Sequence, residues 1–200
     1  MGEHWSRLAL DTDSVYWVNE GRKEPRIEHL GQVMRVAKAG GPLKVIASDQ
    51  AGIADVVVNR EHVFWATRDG VWRWSKTTET TDHFVDAPIP ARPPYGLALD
   101  DQYVYWSDAS TVRRSSLVGG TPETVSSTRH GGMLLGGGWL YLVTEKALVR
   151  LPKSGGPGAN IATWTGWDDG PTDLAVDESG VYWAVNSQSR ASASVMRLAK

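Results

Sequence analysis

An apolar residue followed by two large side chains, mostly aromatic, returns five times along these 200 residues. The copies are Val15-Tyr16-Trp17, Val63-Phe64-Trp65, Val104-Tyr105-Trp106, Trp139-Leu140-Tyr141 and Val181-Tyr182-Trp183, with last positions 48, 41, 35 and 42 residues apart. A chain that keeps returning to one pattern at such intervals stacks copies of one supersecondary unit, because each copy alone cannot bury its apolar face.

The surroundings of each pair give the unit. An apolar run and a turn residue precede it: Leu8-Ala9-Leu10-Asp11, Val56-Val57-Val58-Asn59, Leu97-Ala98-Leu99-Asp100, Met133-Leu134-Leu135-Gly136 and Leu174-Ala175-Val176-Asp177. Asp, Asn and Gly suit a tight hairpin, since they bond their own backbone or tolerate positive φ. A third run carries an arginine in every copy (Arg35, Arg73, Arg114, Arg150, Arg197). A fourth follows Gly40-Gly41, Gly119-Gly120 and Gly155-Gly156, and His83-Phe84-Val85 takes its place in the second copy. The fifth copy has no fourth run. Continuous apolar runs fit strands covered on both faces, and no helical period is sustained over three turns. The expectation is an all-β chain: a β-propeller with repeats at about 8–47, 56–85, 97–125, 133–162 and 174–198 in one domain, 1–200. Its blades are four-stranded and antiparallel, except that the last lacks its fourth strand. Three explanations stand for that gap: a piece of a six- or seven-bladed protein, a three-stranded last blade, or an edge filled by a second molecule.

Leu97-Ala98-Leu99-Asp100 followed by Val104-Tyr105-Trp106-Ser107-Asp108 resembles the repeat of YWTD β-propellers. With Gly-Gly after the third run, the pattern is similar to bacterial YWTD- or NHL-like repeat proteins of the myxobacterial type. The resemblance covers residues 8 to 198 and implies the fold, while propellers host unrelated activities.

Composition narrows the partners. A net charge of −2 with mixed signs gives no basic stripe for nucleic acid. There is no cysteine, which excludes disulfides and thiolate chemistry. No apolar run is long enough to span a membrane as a helix. Met1 to Arg7 lacks the apolar core of a signal peptide, so the chain as given reads as cytoplasmic, although the resembled family is often exported.

In a propeller the loops before the first strand and after the second gather at one face, where ligands usually bind. The residues just before each first strand are Arg7, Asp55, Gly96, Gly132 and Asp173, and a ring of one arginine and two aspartates suits a polar ligand. The segment Trp164-Thr-Gly-Trp167-Asp168-Asp169 sets two tryptophans beside carboxylates, a pattern suited to stacking a sugar or anchoring a protein. Tyr95 and His130 add to the same rim, with Trp5 and His4 as weaker candidates. The plainer reading of all of these is packing and solvated surface. Trp17, Trp65, Trp106 and Trp183 recur at one repeat position and are expected in the core.

Phosphate-binding, nucleophile-elbow and zinc-protease motifs are missing, and the five histidines occupy unrelated positions. No catalytic residue, cofactor or metal is assigned. Two functions stand: a non-catalytic module recognising a protein or carbohydrate, or a hydrolase or lyase resembling gluconolactonases or streptogramin lyases in architecture. A lactonase would need several carboxylates or amides converging on one ion, which Arg7 opposes; for acid–base work Asp55 and Asp173 are the carboxylate pair to nominate.

Overall fold

One side chain organises the hairpin that opens most repeats. Asp11 Oδ1 accepts the amides of Asp13 and Ser14 at 2.8 and 2.7 Å. Asn59 does the same for Glu61 and His62, Asp100 for Gln102 and Tyr103, and Asp177 for Ser179 and Gly180. Such a turn reverses the chain over two residues and sets the register of both strands.

The computed structural model describes residues 8–19, 23–24, 27–28, 30–53, 55–86, 96–108, 110–166, 169–187 and 192–199. The strands form five successive antiparallel meanders. The first sheet contains β1 (Leu8–Leu10), β2 (Ser14–Asn19), β5 (Gly31–Ala37) and β6 (Lys44–Gln50). Between β2 and β5, β3 (Lys23–Glu24) and β4 (Ile27–Glu28) pair as a short ribbon. The second sheet is β7 (Asp55–Val58), β8 (His62–Thr67), β9 (Gly70–Ser75) and β10 (Thr81–Asp86). The third is β11 (Gly96–Leu99), β12 (Tyr103–Ser107), β13 (Val112–Ser116) and β14 (Glu123–Ser126). The fourth is β15 (Gly132–Gly136), β16 (Trp139–Val143), β17 (Ala147–Pro152) and β18 (Ala159–Thr163). The fifth has three strands, β19 (Pro171–Val176), β20 (Gly180–Ser187) and β21 (Ser192–Ala199).

The expected register of the fourth repeat needs one correction. Ala9 pairs with Tyr16, Ala98 with Tyr105 and Ala175 with Tyr182, and in the fourth sheet Leu134 pairs with Tyr141. Leu140-Tyr141-Leu142, rather than Trp139-Leu140-Tyr141, therefore matches the aromatic-pair motif. Strand side chains alternate between faces, so a slip of one residue would turn every one of them over. Leu142 takes the tryptophan position and is fully buried.

The double glycines have a conformational cause. Gly40, Gly41, Gly119, Gly120, Gly155 and Gly156 all adopt positive φ between the third and fourth strands. In the second sheet the turn is built differently, and Glu79 takes the left-handed conformation at φ 55°.

Two compact units make up the chain: Met1–Asp108 with Ser115–Pro122, and Ala109–Arg114 with Glu123–Lys200. In the first, Ala9, Tyr16 and Val33 of sheet one pack against Val56, Val63, Trp65 and Trp74 of sheet two. Phe64, Ala66 and Val71 of sheet two pack in turn on Leu97, Val104 and Trp106 of sheet three. In the second unit, Tyr141 and Leu148 of sheet four meet Val181 and Trp183 of sheet five. Trp65, Trp106 and Trp183 are buried as expected. An aromatic side chain removes roughly 150–250 Å² from water, about 4–6 kcal/mol of transfer free energy as an upper bound. Trp17, at the same position of sheet one, is only half-buried. The recurrent arginines lie over aromatic rings, Arg35 on Tyr16, Arg150 on Trp139 and Arg197 on Tyr182, while Arg73 covers Phe84 and pairs with Asp82.

Polar staples join neighbouring sheets of the first unit. Trp65 donates its indole N–H to Gln50 Oε1 at 2.8 Å. Lys76 Nζ reaches across from sheet two to Asp11 Oδ2 at 2.6 Å. Burial opposes ionisation of Asp11, but the Lys76 ammonium, two backbone amides and the Tyr16 hydroxyl outweigh it and hold the carboxyl well below its ordinary range. Burial first, and then the Asp11 carboxylate, push the Tyr16 phenol up to about 12.

Candidate functional site

Most of the described sequence-predicted site residues lie in the second unit, on the loop from β18 to β19 and the one before β15. Trp164 follows β18 directly. Its backbone amide donates to Lys146 O at 3.0 Å and its indole N–H to Glu145 O at 2.8 Å, so it is tied twice to the turn between β16 and β17. One side of the ring packs against the cluster of Tyr141, Leu148, Val181 and Trp183, which leaves it half-buried.

The loop then folds back on itself. Asp169 N donates to Gly166 O at 3.1 Å, and the Thr165 hydroxyl donates to the Asp169 carboxylate. The loop is thus held at its base by Trp164 and closed on itself by Thr165 and Asp169. Thr165 and the carbonyl of Glu145 are not among the sequence-predicted residues. Their contribution depends on tertiary proximity, and no local pattern signals it.

Asp173 lies on β19, exposed, with Oδ1 accepting the amide of Leu174 at 2.7 Å. His130 is buried, and its Nδ1 lies 2.7 Å from Thr128 O, a geometry in which that nitrogen carries the proton. It packs below the loop surface rather than standing on a rim.

Asp55 belongs to the first unit and is 2 % exposed. Oδ1 accepts its neighbour's amide, Val56 N, at 2.9 Å, and Oδ2 accepts Leu97 N of the third sheet at 2.7 Å. Its carboxylate bridges two sheets through backbone amides. Arg7, Tyr95, Trp167 and Asp168, together with His4 and Trp5, lie outside the described residues.

Chemically, the loop between β18 and β19 combines the anchored ring of Trp164 with the Asp169 carboxylate, which accepts a hydrogen bond from Thr165. Among the described residues no three His, Asp or Glu side chains converge as a metal site would require. Among them also, no helix is long and apolar enough to cross a membrane.

No protein-family model matches the sequence, and no curated protein matches it either. Solved structures do resemble it. A structure of a nidogen/laminin complex aligns over 96 % of this chain and 74 % of the other, with a TM-score of 0.70 and 16 % identity. The extracellular domain of a one-component system from B. thetaiotaomicron aligns over 96 % of this chain and 27 % of its own, at TM-score 0.68 and 12 % identity. The CNH domain of AfRom2 aligns over 98 % and 63 %, at TM-score 0.68 and 10 % identity. At these identities the likeness concerns the fold alone, and the fold is a β-propeller with a partial last blade.

Proposed function

We propose that this chain is a non-catalytic binding or scaffolding module, a single propeller domain of the bacterial YWTD- or NHL-like kind, which recognises a protein or glycan through its loops. The observation that carries the reading is the loop between β18 and β19. Trp164 is anchored through Glu145 and Lys146, and Thr165 closes the loop onto Asp169. A surface ordered before binding loses less conformational entropy when a ligand arrives. Trp167, Asp168 and Asp169 then supply stacking area and hydrogen-bond acceptors, with Asp173 beside them in sequence. The YWTD assignment draws support from Tyr16 and Tyr105, whose hydroxyls bond the turn aspartates Asp11 and Asp100 at 2.9 and 3.1 Å.

Labelled protein applied to a glycan array, alongside pull-downs, supplies the ligand for the test. Trp167→Ala and Asp169→Ala are expected to lose at least tenfold in affinity. Trp164→Ala lowers both affinity and melting temperature, because it removes the anchor. Ligand binding that survives all three substitutions would remove this loop from the function. A melting temperature that rises with calcium and falls back with EDTA would favour a metal-dependent enzyme instead.

A further inference from the structure

The third-strand arginine holds one place in every sheet, but the residue directly across the ladder from it changes. Arg73 faces Asp82, Arg114 faces Glu123, Arg150 faces Ala159, and Arg35 faces Lys44. In sheets two and three that neighbour is a carboxylate, and it fills the guanidinium fork. Arg73 donates Nε and Nη2 to Asp82 at 3.1 and 2.8 Å, and Arg114 donates the same two nitrogens to Glu123 Oε2 at 2.9 and 2.8 Å. In sheet four the neighbour is neutral, and the guanidinium lies 4.5 Å over the Trp139 ring. Sheet one differs from all of these. A lysine stands where the carboxylate would be, and like charges directly opposite each other destabilise a sheet.

The charges around this pair do not cancel. Arg35, Lys44 and Lys76 gather over the rings of Tyr16 and Trp74, each within 5.4 to 6.0 Å of a ring centroid. Two carboxylates answer these three cations: Asp11 takes Lys76 at 2.6 Å, and Glu79 takes Lys44 at 2.6 Å. The surplus charge is that of Arg35. Its Nε donates to a neutral acceptor, Ser14 Oγ, at 3.0 Å, and among the described residues no carboxylate bonds its two Nη groups. Its Cζ lies 5.9 and 6.0 Å from the two ring centroids, at the outer reach of a cation–π contact, so neither ring seats it as Trp139 seats Arg150. Tyr16 and Trp74 are buried beneath it and Arg35 itself is half-buried, so water screens this cation less than a free one.

Glu79 shows which charge the place favours. It reaches over from the turn between β9 and β10 in the left-handed conformation. Its bond to Lys44, and then the fields of Lys44 and Arg35, outweigh desolvation and hold its carboxyl below the ordinary range.

We propose that Arg35, with Lys44 beside it, is a binding site for a carboxylate ligand. The two carboxylate oxygens accept hydrogen bonds from Nη1 and Nη2 of Arg35, end-on, because Nε is already committed to Ser14. The ligand supplies from outside what Asp82 and Glu123 supply within their own sheets, and it relieves the repulsion between Arg35 and Lys44. A planar two-oxygen acceptor suits the rigid guanidinium fork. This site shares no residue with the loop between β18 and β19, and its test is separate from that of the loop.

Nitrogen-15 NMR of the full labelled chain tests the proposal, because arginines at one repeat position are read side by side. Sodium acetate is the probe, replacing sodium chloride at constant ionic strength. The Arg35 Nε–H and Trp74 indole signals should move and saturate with a dissociation constant of roughly 1 to 10 mM, as one fork on one small anion allows. The Nε–H signals of Arg73 and Arg114, whose forks are filled, should stay in place. Arg35→Lys keeps the charge without the fork and should weaken binding at least tenfold, read at Trp74. Lys44→Ala keeps the fork without the second cation and should weaken it several-fold. Lys44→Glu places a carboxylate across the ladder, as in sheets two and three, and should abolish the response while the amide spectrum stays that of a folded chain. Arg35 and Trp74 signals unmoved through the tens of millimolar, equal movement at Arg73 and Arg114, or a full response in folded Lys44→Glu would each overturn the site. Saturation by inorganic phosphate without any effect of acetate would overturn the ligand class.

Discussion

The first and fourth sheets build the same hairpin with opposite chemistry. In sheet one the turn residue Asp11 uses Oδ1 to close the turn and Oδ2 to accept Tyr16 Oη and Lys76 Nζ. In sheet four the turn is three glycines, Gly137 and Gly138 with positive φ, and no carboxylate is present. Tyr141 occupies the position of Tyr16, yet among the described residues its buried hydroxyl has no hydrogen-bond partner. One hairpin is held by charge and polar bonds, the other by shape. A Cβ on Gly136 would collide with Val176 Cγ1, so the fifth sheet rests directly on the glycine backbone. Sheet four has given up the polar network in exchange for closer contact with its neighbour.

The largest expected effect lies at Asp11. Asp11→Ala removes the acceptor of the Tyr16 hydroxyl, of two amides and of the Lys76 ammonium, which keeps its bond to Asn59 O, in a site where both charged side chains are less than a fifth exposed. The expected loss is about 3 kcal/mol in urea unfolding followed by tryptophan fluorescence. Asp11→Asn keeps the turn, as Asn59 does in sheet two, but loses the charge. There the residue matching Lys76 is Leu117, whose amide donates to Gln102 O in the same way and whose side chain packs in the core. Asp11→Asn with Lys76→Leu should therefore recover part of the loss, and strict additivity would show the two positions to be uncoupled. The pH dependence follows in sign. A carboxyl held below its ordinary range stabilises the fold above that range, and the contribution is lost as pH falls through about 4 and below. Asp11→Asn should flatten that part of the acid profile.

Gly136 comes next. Gly136→Ala should cost about 2 kcal/mol by overpacking, and shortening the neighbour with Val176→Ala should relieve much of it. The same exchange at the solvent-exposed Gly41 meets no atom within 4 Å, so its cost is conformational only, from a φ of 125°.

This contrast also marks what the sequence could disclose. The hairpins, the double-glycine turns and the three-stranded fifth sheet follow from local patterns: Asx turns, positive φ and the missing fourth apolar run. In the fourth repeat the sequence pattern points one residue out of register because Trp139 offers an aromatic at the wrong step, and only the pairing of Leu134 with Tyr141 settles the register. The second oxygen of Asp11 was not legible, since Lys76 lies 65 residues away in another sheet. Asp55 likewise reads as a candidate rim residue until Leu97 N, 42 residues on, is found against it. At the loop between β18 and β19 the residue types were visible in the sequence, but the attachment of Trp164 to Glu145 depends on how two turns meet in space.

The smallest effect is also the cleanest comparison, because it makes the same substitution in both hairpins. Tyr16→Phe removes a hydroxyl that donates to Asp11 at 2.9 Å, and it should destabilise by about 1 kcal/mol. Tyr141→Phe removes a hydroxyl that is desolvated without a bond in return. Burial alone pushes that phenol's pKa up, with the Arg150 guanidinium acting against it. Losing such a group relieves a desolvation cost and sacrifices no bond, so Tyr141→Phe should be neutral or stabilising by up to about 1 kcal/mol. Tyr182 falls between them, since its hydroxyl reaches Asp177 only through Ser179 Oγ, at 2.7 and then 2.8 Å, in an exposed setting. The order of cost should therefore be Tyr16, then Tyr182, then Tyr141. If Tyr141→Phe cost as much as Tyr16→Phe, a partner such as bound water would have to satisfy the fourth hairpin, and the division between a polar and a shape-held turn would fail.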